Sequence, residues 1–221
     1  MTHSIAIDGP AGAGKSTIAK LVAKKLRFTY VDTGAMFRAM AVFFTDNNIA
    51  PDDEAAIGRA CPDVKIAIDY KDGVQQIILN GENVTGRLRT EKTGNMASAI
   101  AVYPAVRTKL LELQREIAST TDVVMDGRDI GTCVLPDATC KIYLTASVDT
   151  RAERRYKELT DKGETADIEK IKADIADRDY RDMHRETAPL RKADDAVLVD
   201  SSDMTVEQVT EAIIEAYKAV I

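Results

Sequence analysis

Five short apolar runs recur along the chain, each followed by a stretch with a different rhythm. Ser4–Asp8 (SIAID), Phe28–Asp32 (FTYVD), Asp122–Asp126 (DVVMD), Lys141–Thr145 (KIYLT) and Ala196–Asp200 (AVLVD) read as buried strands. Between them the apolar positions fall at helical spacing. KSTIAKLVAKKL places Ile18, Leu21, Val22 and Leu26 on one face, and GAMFRAMAVFFTDNN does the same with Met36, Met40, Phe43 and Phe44. Helical patterning resumes from about Thr93 to Ala118, punctuated by Pro104. A charged helical region runs from Asp149 to Arg185 with a break near Gly163. A last helix is expected at TVEQV, where Thr205 and Gln208 have capping-box spacing. Val64–Val84 departs from this alternation. It reads as strand, Lys-Asp-Gly turn, strand, which predicts an antiparallel hairpin inserted into the chain rather than part of the main sheet. Apolar strands separated by helices predict a mostly parallel, three-layer α/β sheet of five strands.

Composition narrows the class. At roughly 150 residues per domain, 221 residues make one large domain or a core with an insertion, and 45% apolar residues suffice for one core. A net charge of −6 argues against a nucleic-acid coat, so any anion site must be a local cluster of Arg or Lys. The three cysteines, Cys61, Cys133 and Cys140, form no C-x-x-C pair, which points away from a disulfide framework or a zinc site and towards a reducing compartment. With only His3 and His184, a histidine metal cage or a Ser-His-Asp triad is all but excluded. No charged segment followed by an apolar run opens the chain, and no apolar stretch approaches membrane-spanning length. A monomeric cytoplasmic protein that binds neither nucleic acid nor membrane is expected.

The chemistry begins at Gly9-Pro10-Ala11-Gly12-Ala13-Gly14-Lys15-Ser16-Thr17, which matches G-x-x-x-x-G-K-[ST] and has a strand before it and a helix after it. The glycines let backbone N–H groups converge on phosphate oxygens, and the helix N-terminus adds its positive end. Lys15 is expected to reach the β- and γ-phosphates of ATP and Ser16 to hold Mg²⁺. Such a loop serves hydrolysis, switching and transfer alike. A GTPase should carry N-K-x-D, and this chain has no Asn-Lys pair. A helicase or motor ATPase is usually longer. A sensor ATPase usually has a second acid after its Asp-ending strand, where this chain has Arg128. A basic residue there suggests a second anion, and so an acceptor that itself carries phosphate.

Three strand ends carry further polar signatures, at the place where ligands bind in open α/β sheets. They are DTGAMFR (Asp32–Arg38), DGRDIGT (Asp126–Thr132) and DRDYRDMHR (Asp177–Arg185). Arg178, Asp182 and Arg185 fall at i, i+4 and i+7, which places them on one helix face. A surface helix with exposed ion pairs would give the same spacing; the neighbouring loop and the GRD triplet favour a binding face.

IDGPAGAGKST, DTGAMFR, NGENVTGRLRT, MASAIAVYPAVR, DGRDIGT, PDATCKIYLTAS and RDYRDMHRETAPL together resemble the bacterial cytidylate kinase family over essentially the whole chain. The resemblance implies a P-loop nucleoside-monophosphate kinase fold with an enlarged monophosphate-binding insertion, 62–92, in a core of 1–61 and 93–221. It also implies a short helical lid at about 148–165. The implied reaction is transfer of the ATP γ-phosphoryl group to CMP or dCMP. Carried over residue by residue, cytosine would be read by Ser98, Arg107 and Asp129. The acceptor phosphate would be held by Arg38, Arg128 and Arg185, and the ribose touched by Arg178 and Asp182. Thr33 stands where relatives often have Ser and keeps the hydroxyl. Phe37 stands where Tyr is common and loses it, though the ring can still pack. Ser16 stands where some relatives have Gly. Lys15, Arg128, Asp129 and Arg185 would carry the transfer, and Arg151, Arg154 and Arg155 would belong to the lid. Chemistry agrees independently, because cytosine offers an amino donor at N4 and an acceptor at N3, which a carboxylate and a guanidinium can meet. Two alternatives remain at this stage: a kinase for another small acceptor such as shikimate, AMP or dTMP, and a nucleotide-binding regulatory module without turnover.

Overall fold

The five strands of the main sheet form where the apolar rhythm places them. In the computed structural model, which describes residues 2–71 and 74–221, the order is β1 (Ser4–Asp8), α1 (Lys15–Leu26), β2 (Thr29–Asp32), α2 (Thr33–Asp46), α3 (Glu54–Ala60), β3 (Ile66–Lys71), β4 (Val74–Leu79), β5 (Glu82–Asn83), α4 (Glu91–Ile100), α5 (Pro104–Thr120), β6 (Val123–Gly127), β7 (Cys140–Thr145), α6 (Val148–Asp161), α7 (Ile168–His184), β8 (Val197–Asp200) and α8 (Val206–Lys218). A five-stranded sheet has the order β2-β6-β1-β7-β8, and a second sheet has the order β3-β4-β5. β1 pairs in parallel with both β6 and β7, with Asp8 opposite Gly127 on one side and Tyr143 on the other, and β7 pairs in parallel with β8. The chain divides into two compact units, residues 1–30 with 121–221, and residues 31–120.

In the first unit one sheet face is sealed by two helices. Ile5, Ile7, Val124, Ile142, Leu144 and Val199 pack with Ile18, Ala19, Val22 and Ala23 of α1 and with Val209, Ile213, Ile214 and Tyr217 of α8. Leu21, expected on the buried face of α1, is 36% exposed; that face is made by Ile18, Ala19, Val22 and Ala23, and Leu21 points away from it. The capping box of α8 is formed in both directions, Thr205 N donating to Gln208 Oε1 (2.8 Å) and Gln208 N to Thr205 Oγ1 (3.2 Å).

The second unit holds the antiparallel sheet. β3 and β4 pair from Ile66–Leu79 to Lys71–Val74, and the expected turn residues Asp72 and Gly73 lie outside the described residues. β4 alternates, with Gln75, Ile77 and Leu79 buried. A third strand, β5, extends the expected hairpin to a three-stranded sheet. Helix α3 was not expected; at seven residues it is too short to show a period, and it is started by Asp53, whose carboxylate accepts from Ala56 N (2.9 Å). Met36, Met40 and Phe44 of α2 are fully buried. Among the described residues no helix is long and apolar enough to cross a membrane.

Candidate active site

Four strands of the larger sheet close on or beside an aspartate, Asp8, Asp32, Asp126 and Asp200. Each is used differently. Asp200 accepts from Ser202 N and Oγ (2.9 and 2.6 Å), and Asp32 caps α2 by accepting from Ala35 N (2.9 Å). Asp126 accepts from Ser16 Oγ and from Tyr30 Oη (2.8 Å each). Asp8 accepts from two backbone amides, Ile130 N (2.8 Å) and Gly131 N (2.7 Å).

The loop between β1 and α1 has the backbone its glycines allow. Gly9 has φ 150, and a Cβ there would stand 1.9 Å from the Leu144 carbonyl oxygen, so no other residue fits without moving β7. Gly14 caps α1 in the left-handed region, no side chain caps the helix, and its first turn holds no acid. Thr17 N donates to the Gly14 carbonyl (3.1 Å), and the remaining first N–H groups of α1, with its positive end, suit an external anion. Lys15 is buried, and its Nζ donates to the carbonyls of Gly9 and Pro10 (2.7 Å each). Burial, with the Arg128 charge behind it, pushes this ammonium well below its ordinary pKa. A phosphate held by the loop would add a counter-charge beside this ammonium.

A cluster of opposite charges stands beyond β6 in the same unit. Arg128 Nε donates to Asp182 Oδ2 (2.8 Å), and Arg185 Nη2 donates to Asp129 Oδ1 (3.3 Å). Asp129 and Asp182 are buried. Burial by itself would raise the Asp182 carboxyl, but Arg128, with smaller contributions from Arg178 and Arg185, outweighs it and holds the group below the usual carboxylate value. Asp129 opens a single π-helical turn, Ile130–Val134, which the strand and helix rhythms gave no sign of. Arg178 and Asp182 lie on α7, but the helix ends at His184. Arg185 is extended (φ −66, ψ 142) and its Nε donates to the Ala188 carbonyl (2.7 Å). It thus reaches Asp129 from a turn rather than from the helix face that the i+7 spacing suggested.

The three arginines of α6 differ. Arg151 is 4% exposed; it donates to the carbonyls of Ala146 and Ala11 (2.9 Å each) and pairs with Asp179 (2.6 Å). Arg154 donates to the Ser201 carbonyl (2.7 Å). Arg155 is exposed and, among the described residues, paired with Glu158 alone (2.8 Å).

Thr33, Arg38, Ser98 and Arg107 belong to the second unit. Thr33 is buried at the start of α2, and Asp32 N beside it donates to Gln75 Oε1 (2.9 Å). Arg38 lies one turn on, half-buried. A Cβ on Gly34 would come within 3.1 Å of Arg38 Nη1, so the small residue makes room for the guanidinium. Ser98 is half-buried on α4. Arg107 sits over the Phe37 ring, 5.9 Å from its centroid, and donates to the Ala101 carbonyl (3.2 Å), so the ring packs without the missing hydroxyl.

Three residues escaped the sequence reading of the site: Asp8, Asp126 and, as an anchor rather than a lid residue, Arg151. A signal existed for the first two, since both end an apolar strand at the carboxyl edge of the sheet. The bonds of Arg151 to Ala11 and Asp179 join positions 140 and 28 residues away, which no local pattern encodes.

The family model for cytidylate kinase matches residues 5–219. A protein of Listeria monocytogenes named cytidylate kinase is 51% identical over 211 residues, covering 95% of this chain and 93% of its own length. One of the same name from Carboxydothermus hydrogenoformans is 48% identical over 211 residues, covering 96% and 95%. Among solved structures, an uncharacterized protein from Eubacterium ventriosum is similar with a TM-score of 0.54 at 14% identity, covering 99% of both chains, which speaks to the fold alone.

Proposed function

The chain belongs to the cytidylate kinase family, and from that premise we infer that it transfers the γ-phosphoryl group of ATP to CMP or dCMP, giving ADP and the nucleoside diphosphate. The observation that carries this is the pairing, in one unit, of a buried loop lysine with an arginine–aspartate cluster beyond the next strand: Lys15 on one side, Arg128–Asp182 and Arg185–Asp129 on the other. A phosphate-donor loop alone would serve any nucleotide hydrolase. A second set of arginines, here paired with aspartates, is what a second, phosphorylated substrate requires.

In this reading the loop amides and Lys15 hold the donor phosphates. Arg128, Arg185 and Arg38 hold the acceptor phosphate, Ser98, Arg107 and Asp129 read cytosine, and Arg178 and Asp182 touch the ribose. An oxygen of the acceptor phosphate forms the new bond to the γ-phosphorus while the bond to the β–γ bridging oxygen breaks and its electron pair leaves with ADP. Protein groups need do little covalent work; they align the two phosphates and neutralise their charge. Asp182 keeps Arg128 oriented while the site awaits the acceptor. Ser16 Oγ and Asp126 Oδ2, 2.8 Å apart, are a hydroxyl and a carboxylate, the hard oxygen donors that Mg²⁺ takes together with substrate phosphates. Mg²⁺ bound there would neutralise charge on the donor phosphates. Residues 62–92 are the acceptor-binding insertion and about 148–165 the lid, whose role is to exclude water. Arg155, held in an exposed pair with Glu158, is the lid arginine with least to break before it swings towards phosphate. The protein works as a monomer in the cytoplasm, a reducing compartment that suits cysteines held outside any disulfide.

A panel of CMP, dCMP, UMP, AMP, dTMP and shikimate, each with ATP and read by ADP release, tests this. Turnover confined to CMP and dCMP is expected. Turnover with another acceptor in preference, or nucleotide binding with no turnover, would overturn it.

A further inference from the structure

We propose that Asp8 is a positioning residue for acceptor recognition, its carboxylate holding the turn that presents Asp129. The inference rests on the acceptor-binding role given above to that residue. Asp8 ends β1 immediately before Gly9, and it is 5% exposed. Its oxygens are divided between two successive amides, Oδ1 accepting from Ile130 N at 2.8 Å and Oδ2 from Gly131 N at 2.7 Å. These are the first two residues after Asp129, so the fork fixes the peptide planes that aim the Asp129 side chain. The turn is closed on the other side as well. A Cβ on Gly131 would lie 3.2 Å from Lys141 Cδ and 3.4 Å from Asp8 Oδ2, so glycine is what lets the turn sit against both. Lys141 is itself tethered by both oxygens of Asp195 (2.7 and 3.0 Å).

Only an ionised carboxylate supplies two acceptors in this geometry. An asparagine has one acceptor and would turn its NH₂ towards a second N–H. The charge is kept at a cost. Burial pushes Asp8 up to about 6, even though both amide bonds and the Lys15 charge work the other way and only the nearby Asp129 adds to the rise. A group whose folded pKa is raised stabilises the fold fully only below its unfolded value and loses that contribution as pH rises through about 6. At neutral pH the ionised Asp8 therefore opposes folding, which is expected of a residue that holds a site and not of one that merely fills space.

The test compares wild type, Asp8→Asn, Asp129→Ala and the double variant, measuring kcat and KM for CMP at saturating ATP and for ATP at saturating CMP. Displacement of a reacting group by about 1 Å can cost on the order of 10²-fold. Asp8→Asn is therefore expected to lower kcat/KM for CMP at least about tenfold while KM for ATP moves less than about threefold. In the Asp129→Ala background the same change should cost less than about threefold, because the residue it positions is already gone. Equal effects on both substrates, no effect on either, or an undiminished effect in that background would overturn the proposal. The acceptor role of Asp129 fails separately, if Asp129→Ala alone leaves kcat/KM for CMP within threefold; the CMP-against-ATP split then decides the role of Asp8 by itself. Should Asp8→Asn not fold, Asp8→Ser, which keeps one acceptor in a smaller side chain, carries the same comparison with an intermediate effect.

Discussion

Replacing Arg151 by methionine should destabilise the protein far more than loss of an ordinary helix-surface charge. The guanidinium is 4% exposed and ties three pieces together, the end of β7 at Ala146, the phosphate loop at Ala11 and α7 at Asp179. Methionine fills much of the volume but leaves the Asp179 carboxylate buried without its cation. The other carboxylate oxygen, Oδ1, has no hydrogen-bond partner among the described residues, so little there remains to hold the charge. Removing one member of a buried pair costs about 3–5 kcal/mol. For a chain of this length that lowers the melting midpoint by roughly 6–20 °C, at about 2–4 °C per kcal/mol. The double variant Arg151→Met/Asp179→Leu removes the stranded charge and should recover most of the loss, falling short by about 1 kcal/mol for each carbonyl left without its donor. Thermal melts of the three proteins, with ATP titrations of each, make the comparison. Because the Ala11 tether is lost in both variants, KM for ATP should rise in both even where stability returns. A single variant within about 1 kcal/mol of wild type, or a double variant no better than the single, would refute the anchoring role and return Arg151 to a solvated lid helix.

Other changes have equally direct readouts. Lys15→Ala should lower kcat about 10²-fold or more by removing a charge from the transferring phosphates. Its melting midpoint without nucleotide should stay level or rise, since the buried ammonium is held below its ordinary pKa; a lower midpoint would argue that Lys15 is structural. Asp182 has a folded pKa below its unfolded one, so its stabilisation is present above the unfolded value of about 3.9 and is lost as pH falls through the folded one. Urea midpoints of wild type and Asp182→Asn should accordingly differ at pH 7 and converge as pH falls below about 4, and a gap that stays constant with pH would remove the Arg128 ion pair as its source. Amide exchange in residues 62–92 should slow when CMP is added; unchanged protection there would count against an acceptor role for the insertion.

What could be read from the chain was local. Apolar rhythm located every strand of the larger sheet, the G-x-x-x-x-G-K-S spacing located the phosphate loop, and Thr205 with Gln208 located the start of α8. The site was harder, because its parts are joined by bonds between distant positions. Asp8 and Asp126 are identical in sequence context, each ending an apolar strand, yet one holds two amides of a turn and the other faces Ser16 and Tyr30. Only the sheet order, which brings β6 beside β1, separates those fates. Periodicity failed in the same way at Arg185, which counts as a helix-face residue by spacing but follows the end of α7. Leu21 shows the converse limit: an apolar residue at the right interval stays exposed because the core face is set by Ile18, Ala19, Val22 and Ala23.

The most direct test is the ratio of kcat/KM for CMP over UMP in wild type and in Asp129→Asn. Uracil presents an acceptor at position 4 and a donor at N3, so both the carboxylate of Asp129 and the guanidinium of Arg107 would face groups of their own kind. Sites built on such hydrogen bonds discriminate by around 10⁴-fold, and a strong preference for CMP is expected in wild type. In Asp129→Asn the amide can donate to uracil O4, so CMP activity should fall and the ratio should narrow at least about tenfold, about 1.4 kcal/mol. A wild-type enzyme that uses UMP as well as CMP would contradict cytidylate specificity outright, and a ratio unchanged in Asp129→Asn would take base recognition away from Asp129.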